Sequence, residues 1–232
     1  MDFSYIDKNV ASARDQIRRA AGKVGRSQED ILLLAAVKSA TAEEIDHIHK
    51  SLGICDIGEN RVQQLLEHWD KIDREELRVH FIGSLQTNKV KYIIDKVTLI
   101  HSLDSERLAK EIQRQAQKHG LVVNVLIEIN SGSEESKGGI DPQDVADFAQ
   151  SLEEYPNLNL CGFMTMAPRC EDKNHYYEYF GKTRDIAAHV WSEILKKEGA
   201  PILSMGMSES FTQAIECGST LVRIGRSLFS KS

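Results

Sequence analysis

Residues 31–38 read ILLLAAVK, seven apolar residues in a row and then a lysine. A run this short and this continuous fits a strand buried on both faces, as in a parallel sheet covered by helices. Comparable runs follow at 54–57, 79–82, 98–100, 122–129, 158–166, 202–205 and 221–224. Between them lie stretches with apolar residues at helical spacing: 42–52, 62–69, 87–94, 105–119, 142–152, 175–197 and 209–217. A leading helix is expected over 3–21, where Ile6, Val10, Ala13, Ile17 and Ala20 share one stripe. Asp141-Pro142 reads as a helix start, a carboxylate cap before a first-position proline. Strands alternating with helices in this way predict an α/β fold, a (β/α)8 TIM-type barrel spanning residues 1–232 as a single domain. A doubly wound open sheet is the alternative topology.

Composition removes several classes. The 232 residues carry 29 basic and 35 acidic side chains, a net charge of −6, without the positive field of a nucleic-acid binder. The apolar runs are too short to span a membrane. The first residues show no basic flank before an apolar core, so no signal peptide is expected. Cys55, Cys161, Cys170 and Cys217 form no Cys-x-x-Cys pair and read as reduced thiols. A cytoplasmic protein that binds neither nucleic acid nor membrane is the expectation. No zinc-protease, Walker or dinucleotide-binding motif is present.

In a barrel, chemistry sits where the strands end. Lys38 ends the first strand. An amine pressed against an apolar wall is disfavoured in its charged form, and the neutral amine is the nucleophile that a Schiff base requires. The same position equally suits a lysine that snorkels to water. After the seventh and eighth strands, Ser204-Met205-Gly206-Met207-Ser208 and Ile224-Gly225-Arg226-Ser227 combine hydroxyls with glycine. Barrel enzymes often bind phosphate there, beside a helix N-terminus, here expected near Glu209. Capping and turning are the other use of such residues. Arg223 lies inside an apolar strand and needs a partner, either a carboxylate or a ligand. Lys137, in a glycine-bearing loop, suits a solvated loop charge or a ligand contact.

Taken in order, these segments resemble the pyridoxal phosphate homeostasis protein family, single-domain proteins that bind pyridoxal 5'-phosphate (PLP) and are related to the alanine racemase barrel domain. The resemblance runs from about Leu32 to Phe229. It rests on Ala36-Val37-Lys38, Gly58-Glu59-Asn60-Arg61, the His80 to Lys89 segment, Ser136-Lys137-Gly138-Gly139, Gly162 to Ala167, Ser204 to Ser208 and Gly218 to Gly225. It implies that Lys38 is the Schiff-base lysine and that Arg223 faces the pyridine nitrogen. It implies a phosphate cradle from Ser204, Met207 and Ser208 with the backbone of Ile224, Gly225 and Arg226. Asn60 and His80 are implied along the ring's side of the pocket. The family role so implied is PLP and vitamin B6 homeostasis, as a carrier or regulator without established turnover, with PLP-dependent apoenzymes as recipients.

Two other functions use the same lysine. A PLP-dependent amino-acid racemase needs two positioned acid–base groups. In the racemases, a second domain and a partner subunit complete the site, and no such domain is expected here after the eighth strand. A monomer is expected on the same ground. A cofactor-free Schiff-base aldolase would need Lys38 but not Arg223.

Overall fold

In the computed structural model, which describes residues 2–132 and 138–231, the apolar runs close into a barrel. Its strands are β1 (Leu32–Ala36), β2 (Asp56–Glu59), β3 (Arg78–Phe81), β4 (Leu99–Leu103), β5 (Val123–Ile129), β6 (Leu158–Thr165), β7 (Ile202–Ser204) and β8 (Leu221–Ile224). They pair in parallel and in chain order, and β1 returns to β8 with Leu34 opposite Arg223. The helices are α1 (Ser4–Lys23), α2 (Ala42–Lys50), α3 (Val62–Trp69), α4 (Glu106–His119), α5 (Val145–Ser151), α6 (His175–His189), α7 (Phe211–Glu216) and α8 (Arg226–Phe229). This is the TIM-type barrel that the alternation predicts.

Local chemistry sets the element ends. Thr41 opens α2 with a capping box: its N–H donates to Glu44 Oε2 at 2.8 Å, and Glu44 N–H donates to Thr41 Oγ1 at 3.3 Å. The α1 stripe of Ile6, Val10, Ala13, Ile17 and Ala20 is buried, and the helix packs on α7 and α8. Asn9 Nδ2 lies 3.0 Å from the carbonyls of both Leu228 and Ser230, tying this helix to the C-terminal segment. No helix among the described residues is long and apolar enough to cross a membrane.

Four expected helices differ. Asp141 opens a turn instead of a helix: Asp144 N–H donates to its carbonyl at 2.9 Å, and α5 starts only at Val145. Residues 87–92 form a 3₁₀ turn, and α6 gives way to a π-helical turn at Val190–Ile194. The helix expected at Glu209 starts at Phe211, because Ser210 N–H and Phe211 N–H both donate to the Met207 carbonyl and close a turn first.

Alternation along the strands separates two faces. Outward residues such as Ala35, Ile57, Phe81 and Phe163 join the helices in the main core. Inward residues form two small apolar clusters, Leu34 with Ile82 and Leu221, and Leu99 with Leu126 and Met164. A polar seam joins β2, β3, β4, β7 and β8 through buried side chains, and it leads to the site.

Candidate functional site

The β1 ladder runs one residue past the strand, where Val37 N–H donates to the Gly58 carbonyl at 3.0 Å. A turn then closes from Val37 to Ala40 and presents Lys38 on its exposed side. The turn is held from α3: Gln64 Nε2 donates to the Lys38 carbonyl at 2.7 Å. Lys38 thus stands on the rim of a cavity of about 580 Å³ at the C-terminal end of the barrel. That volume lies in the range of small-ligand sites, about 300–1,000 Å³. Lys38, Asn60, Met207, Ser208, Arg223, Gly225 and Arg226 all line it, together with Ile82, Met166 and Tyr176.

Arg223 is the buried cation of this cavity. Its Nη1 donates to the Ser204 carbonyl at 2.7 Å and to Ser204 Oγ at 2.6 Å, and its Nη2 donates to the Thr165 carbonyl at 2.9 Å. Burial lowers its pKa to about 10, with the Glu128 charge acting in the opposite sense. It therefore remains a cation at neutral pH. Sequence reasoning did not single out Glu128, on β5. Burial pushes its carboxyl up to about 7; the charge of Asp104 adds to this and Arg223 opposes it. The one signal was its place as the only charged residue in the run VNVLIEI.

Three of the residues singled out in the sequence bring no side chain to the cavity. Ser204 is fully buried on β7, with its hydroxyl between Arg223 and His101, whose Nδ1 lies 2.9 Å away. Its inward position in the parity of a short strand, rather than the loop that follows, decides this. His80 faces into the barrel, with Nδ1 2.9 Å from His101 Nε2 and Nε2 3.0 Å from Asp56 Oδ1. Asp56 also holds Arg78, through Nε at 2.8 Å and Nη2 at 2.5 Å. Burial would raise the Asp56 pKa; hydrogen bonds from His80 and Arg78 outweigh it and hold the carboxyl below its ordinary value. The pKa of His101 is driven well below 6.5 by burial, then by the charges of His80 and Arg223. Ile224 is one residue out of phase with Arg223 and packs in the main core.

The loops after β7 and β8 each carry a closely packed glycine, and of the two Gly225 lines the cavity. At Gly225 a Cβ would lie 2.7 Å from the Ala36 carbonyl oxygen. Gly206 has φ +92°, and a Cβ there would lie 2.6 Å from Ala214 Cβ. Ser210 also lines the cavity, and its hydroxyl accepts from Met207 N–H at 3.3 Å. Arg226 is turned to Glu209, with Nη1 to Oε1 at 2.7 Å, which spends its charge on an exposed ion pair. Lys137 lies outside the described residues. Among the described residues, no cluster of three His, Cys, Asp or Glu side chains could hold a metal ion.

The sequence model of the alanine racemase N-terminal domain matches residues 9–232. The pyridoxal phosphate homeostasis protein of Aquifex aeolicus is 42% identical over 222 residues, covering 96% of each chain. The chain belongs to the pyridoxal phosphate homeostasis protein family. The Escherichia coli K12 member is 36% identical over 232 residues, covering 97% of this chain and 95% of that one. Among solved structures, PipY of Synechococcus elongatus with PLP bound superposes with a TM-score of 0.83 at 27% identity, over 97% of this chain and all of that one. The alanine racemase of Clostridium difficile shares the fold, with a TM-score of 0.77 at 16% identity. There the match covers 99% of this chain and 57% of the racemase.

Proposed function

We propose that this protein binds PLP as a Schiff base on Lys38 and serves intracellular PLP homeostasis as a cytoplasmic carrier or regulator. The observation that carries this reading is the convergence of an exposed lysine and a buried arginine, charged at neutral pH, on one small-ligand cavity. PLP supplies an electrophilic aldehyde and an electron-withdrawing ring when bound.

The residues present fit such a ligand. Asn60 Oδ1 is buried at the cavity without a hydrogen-bond partner, an acceptor for a ligand donor. Gly225 puts no side chain at the phosphate end, where the Ser208 hydroxyl and the backbone around Gly225 and Arg226 would hold the phosphate. Arg223, locked to Ser204 and Thr165, would face the ring nitrogen as a donor only. A guanidinium cannot hand over a proton there, so the ring is a weaker electron sink than beside an acidic partner. That favours holding the cofactor over turning over an amino acid. The described residues leave Lys38 exposed on the rim, where a bound cofactor can be exchanged with PLP-dependent apoenzymes.

An amino-acid racemase is the second reading, and the racemase-like barrel favours it. Absorbance spectra of the purified protein, before and after adding PLP, test the binding itself; a protein that stays colourless with added PLP refutes it. Amino-acid turnover assays on the loaded protein then separate carrier from racemase.

A further inference from the structure

Five buried or half-buried side chains form one continuous hydrogen-bond chain through the barrel, from Arg223 through Ser204, His101 and His80 to Asp56. Its length exceeds what is needed to neutralise Arg223, which already has two carbonyl acceptors. Its two ends differ in kind. Arg223 donates and never accepts, so Ser204 Oγ accepts at that end. Asp56, ionised and held by Arg78, accepts and never donates, so His80 Nε2 carries the proton at the other. The middle follows link by link when both rings are neutral. His80 Nδ1 is then bare and accepts from His101 Nε2–H. His101 Nδ1 is bare in turn and accepts the Ser204 hydroxyl proton. Every hydrogen points from Arg223 towards Asp56.

We propose that Asp56, on the floor of the barrel, positions Arg223 at the cavity through this chain, with His80, His101 and Ser204 transmitting a single hydrogen-bond direction. The Ser204 hydroxyl is then committed to His101, and its lone pairs are left for Arg223 Nη1. Reversal of the chain would put a His101 N–H on the same oxygen, beside the guanidinium, and leave the Ser204 hydroxyl proton without its acceptor. The charged groups on the neighbouring elements are Asp56 on β2, Arg78 on β3 and Arg223 on β8, with Glu128 on β5 acting on Arg223. Asp56, His80 and His101 are positioning residues in this account, because none of them lines the cavity.

The test is the proton position on each histidine ring, read by nitrogen NMR of the full-length chain with ¹⁵N-labelled histidine at pH 8, without and with added PLP. The expected wild-type result is a protonated Nε2 and a bare Nδ1 on both His80 and His101. Asp56→Asn keeps an oxygen for Arg78 and turns an amide N–H towards His80. The expected result is a reversal of both rings to the Nδ1–H form, two links away from the substitution. In the PLP-loaded protein, the visible band should shift with it. Ser204→Ala should leave the His101 Nε2 proton in place, because the direction is set at Asp56. A wild-type His101 protonated on Nδ1 overturns the proposal, whether or not any variant folds. So does a folded Asp56→Asn protein with an unchanged His101 ring. This inference rests on the proposed function only for the band shift. A protein that takes up no PLP would end that reading and leave the ring measurements to decide this one.

Discussion

Arg223 Nη1 meets both the hydroxyl and the carbonyl of Ser204, at 2.6 and 2.7 Å, so one residue of β7 fixes the cavity's buried cation. The serine that stands nearest a phosphate-binding pattern in the sequence is therefore engaged by the arginine. Ser208, four residues on, lines the cavity. The two serines should behave differently. Ser204→Ala should destabilise the fold by about 1–3 kcal/mol through the groups it leaves unpaired. It should leave the ratio of PLP to pyridoxal affinity unchanged. Ser208→Ala should lower that ratio about tenfold, the loss of one hydrogen bond to a charged group. Urea unfolding and parallel titrations with the two ligands measure both. A collapsed ratio in Ser204→Ala would return that residue to the phosphate.

Glu128 should make stability fall with rising pH. Its folded pKa of about 7 lies above the ordinary 4.5. The folded state therefore withholds ionisation that the unfolded chain gains. Stability present below about pH 4.5 is lost as pH rises through about 7. Glu128→Gln removes that loss, and should be more stable than wild type at pH 8 by up to about 3 kcal/mol. The two proteins should converge near pH 4. Melting curves across this range check the sign; equal gains at both ends would refute the assignment.

His101 works in the opposite direction. Folding keeps it neutral, whereas the unfolded chain takes a proton near pH 6.5. Its contribution is lost as pH falls below that value. His101→Gln offers an amide oxygen to Ser204 and an N–H to His80, so it preserves the chain without a titrating ring. Its stability should fall less steeply than wild type between pH 6.5 and 5. An identical slope would mean that another group carries the acid sensitivity.

Gly225→Ala tests the contact between the loop after β8 and the end of β1. The added methyl would lie 2.7 Å from the Ala36 carbonyl, on the strand that leads to Lys38. Overpacking of this kind costs about 1–3 kcal/mol. The expected result is a lower melting temperature together with weaker PLP binding. Gly22, with nothing near its Cβ position, is the control.

The barrel was legible because its strands are short apolar runs, and β8 begins and ends where the run does. Lys38 and Arg223 were legible for the same reason, each being a charge set against such a run. Asp56 and His101 were not. Asp56 sits within the four-residue run 54–57 and His101 just past the run ending at Ile100, and neither pattern shows the residue facing inwards. Their inward position depends on pairing across the barrel, which a linear pattern does not contain. Ser204 shows the same limit: its partner Arg223 lies nineteen residues away and meets it only because β7 and β8 are adjacent.

The most direct test of the central claim is borohydride reduction of the PLP-treated protein, followed by peptide mapping by mass spectrometry. The account predicts a single reduced label on Lys38, and none in Lys38→Ala. That variant should keep the wild-type melting temperature, because the side chain is exposed. A label on another lysine, retained at full yield in folded Lys38→Ala, would contradict it.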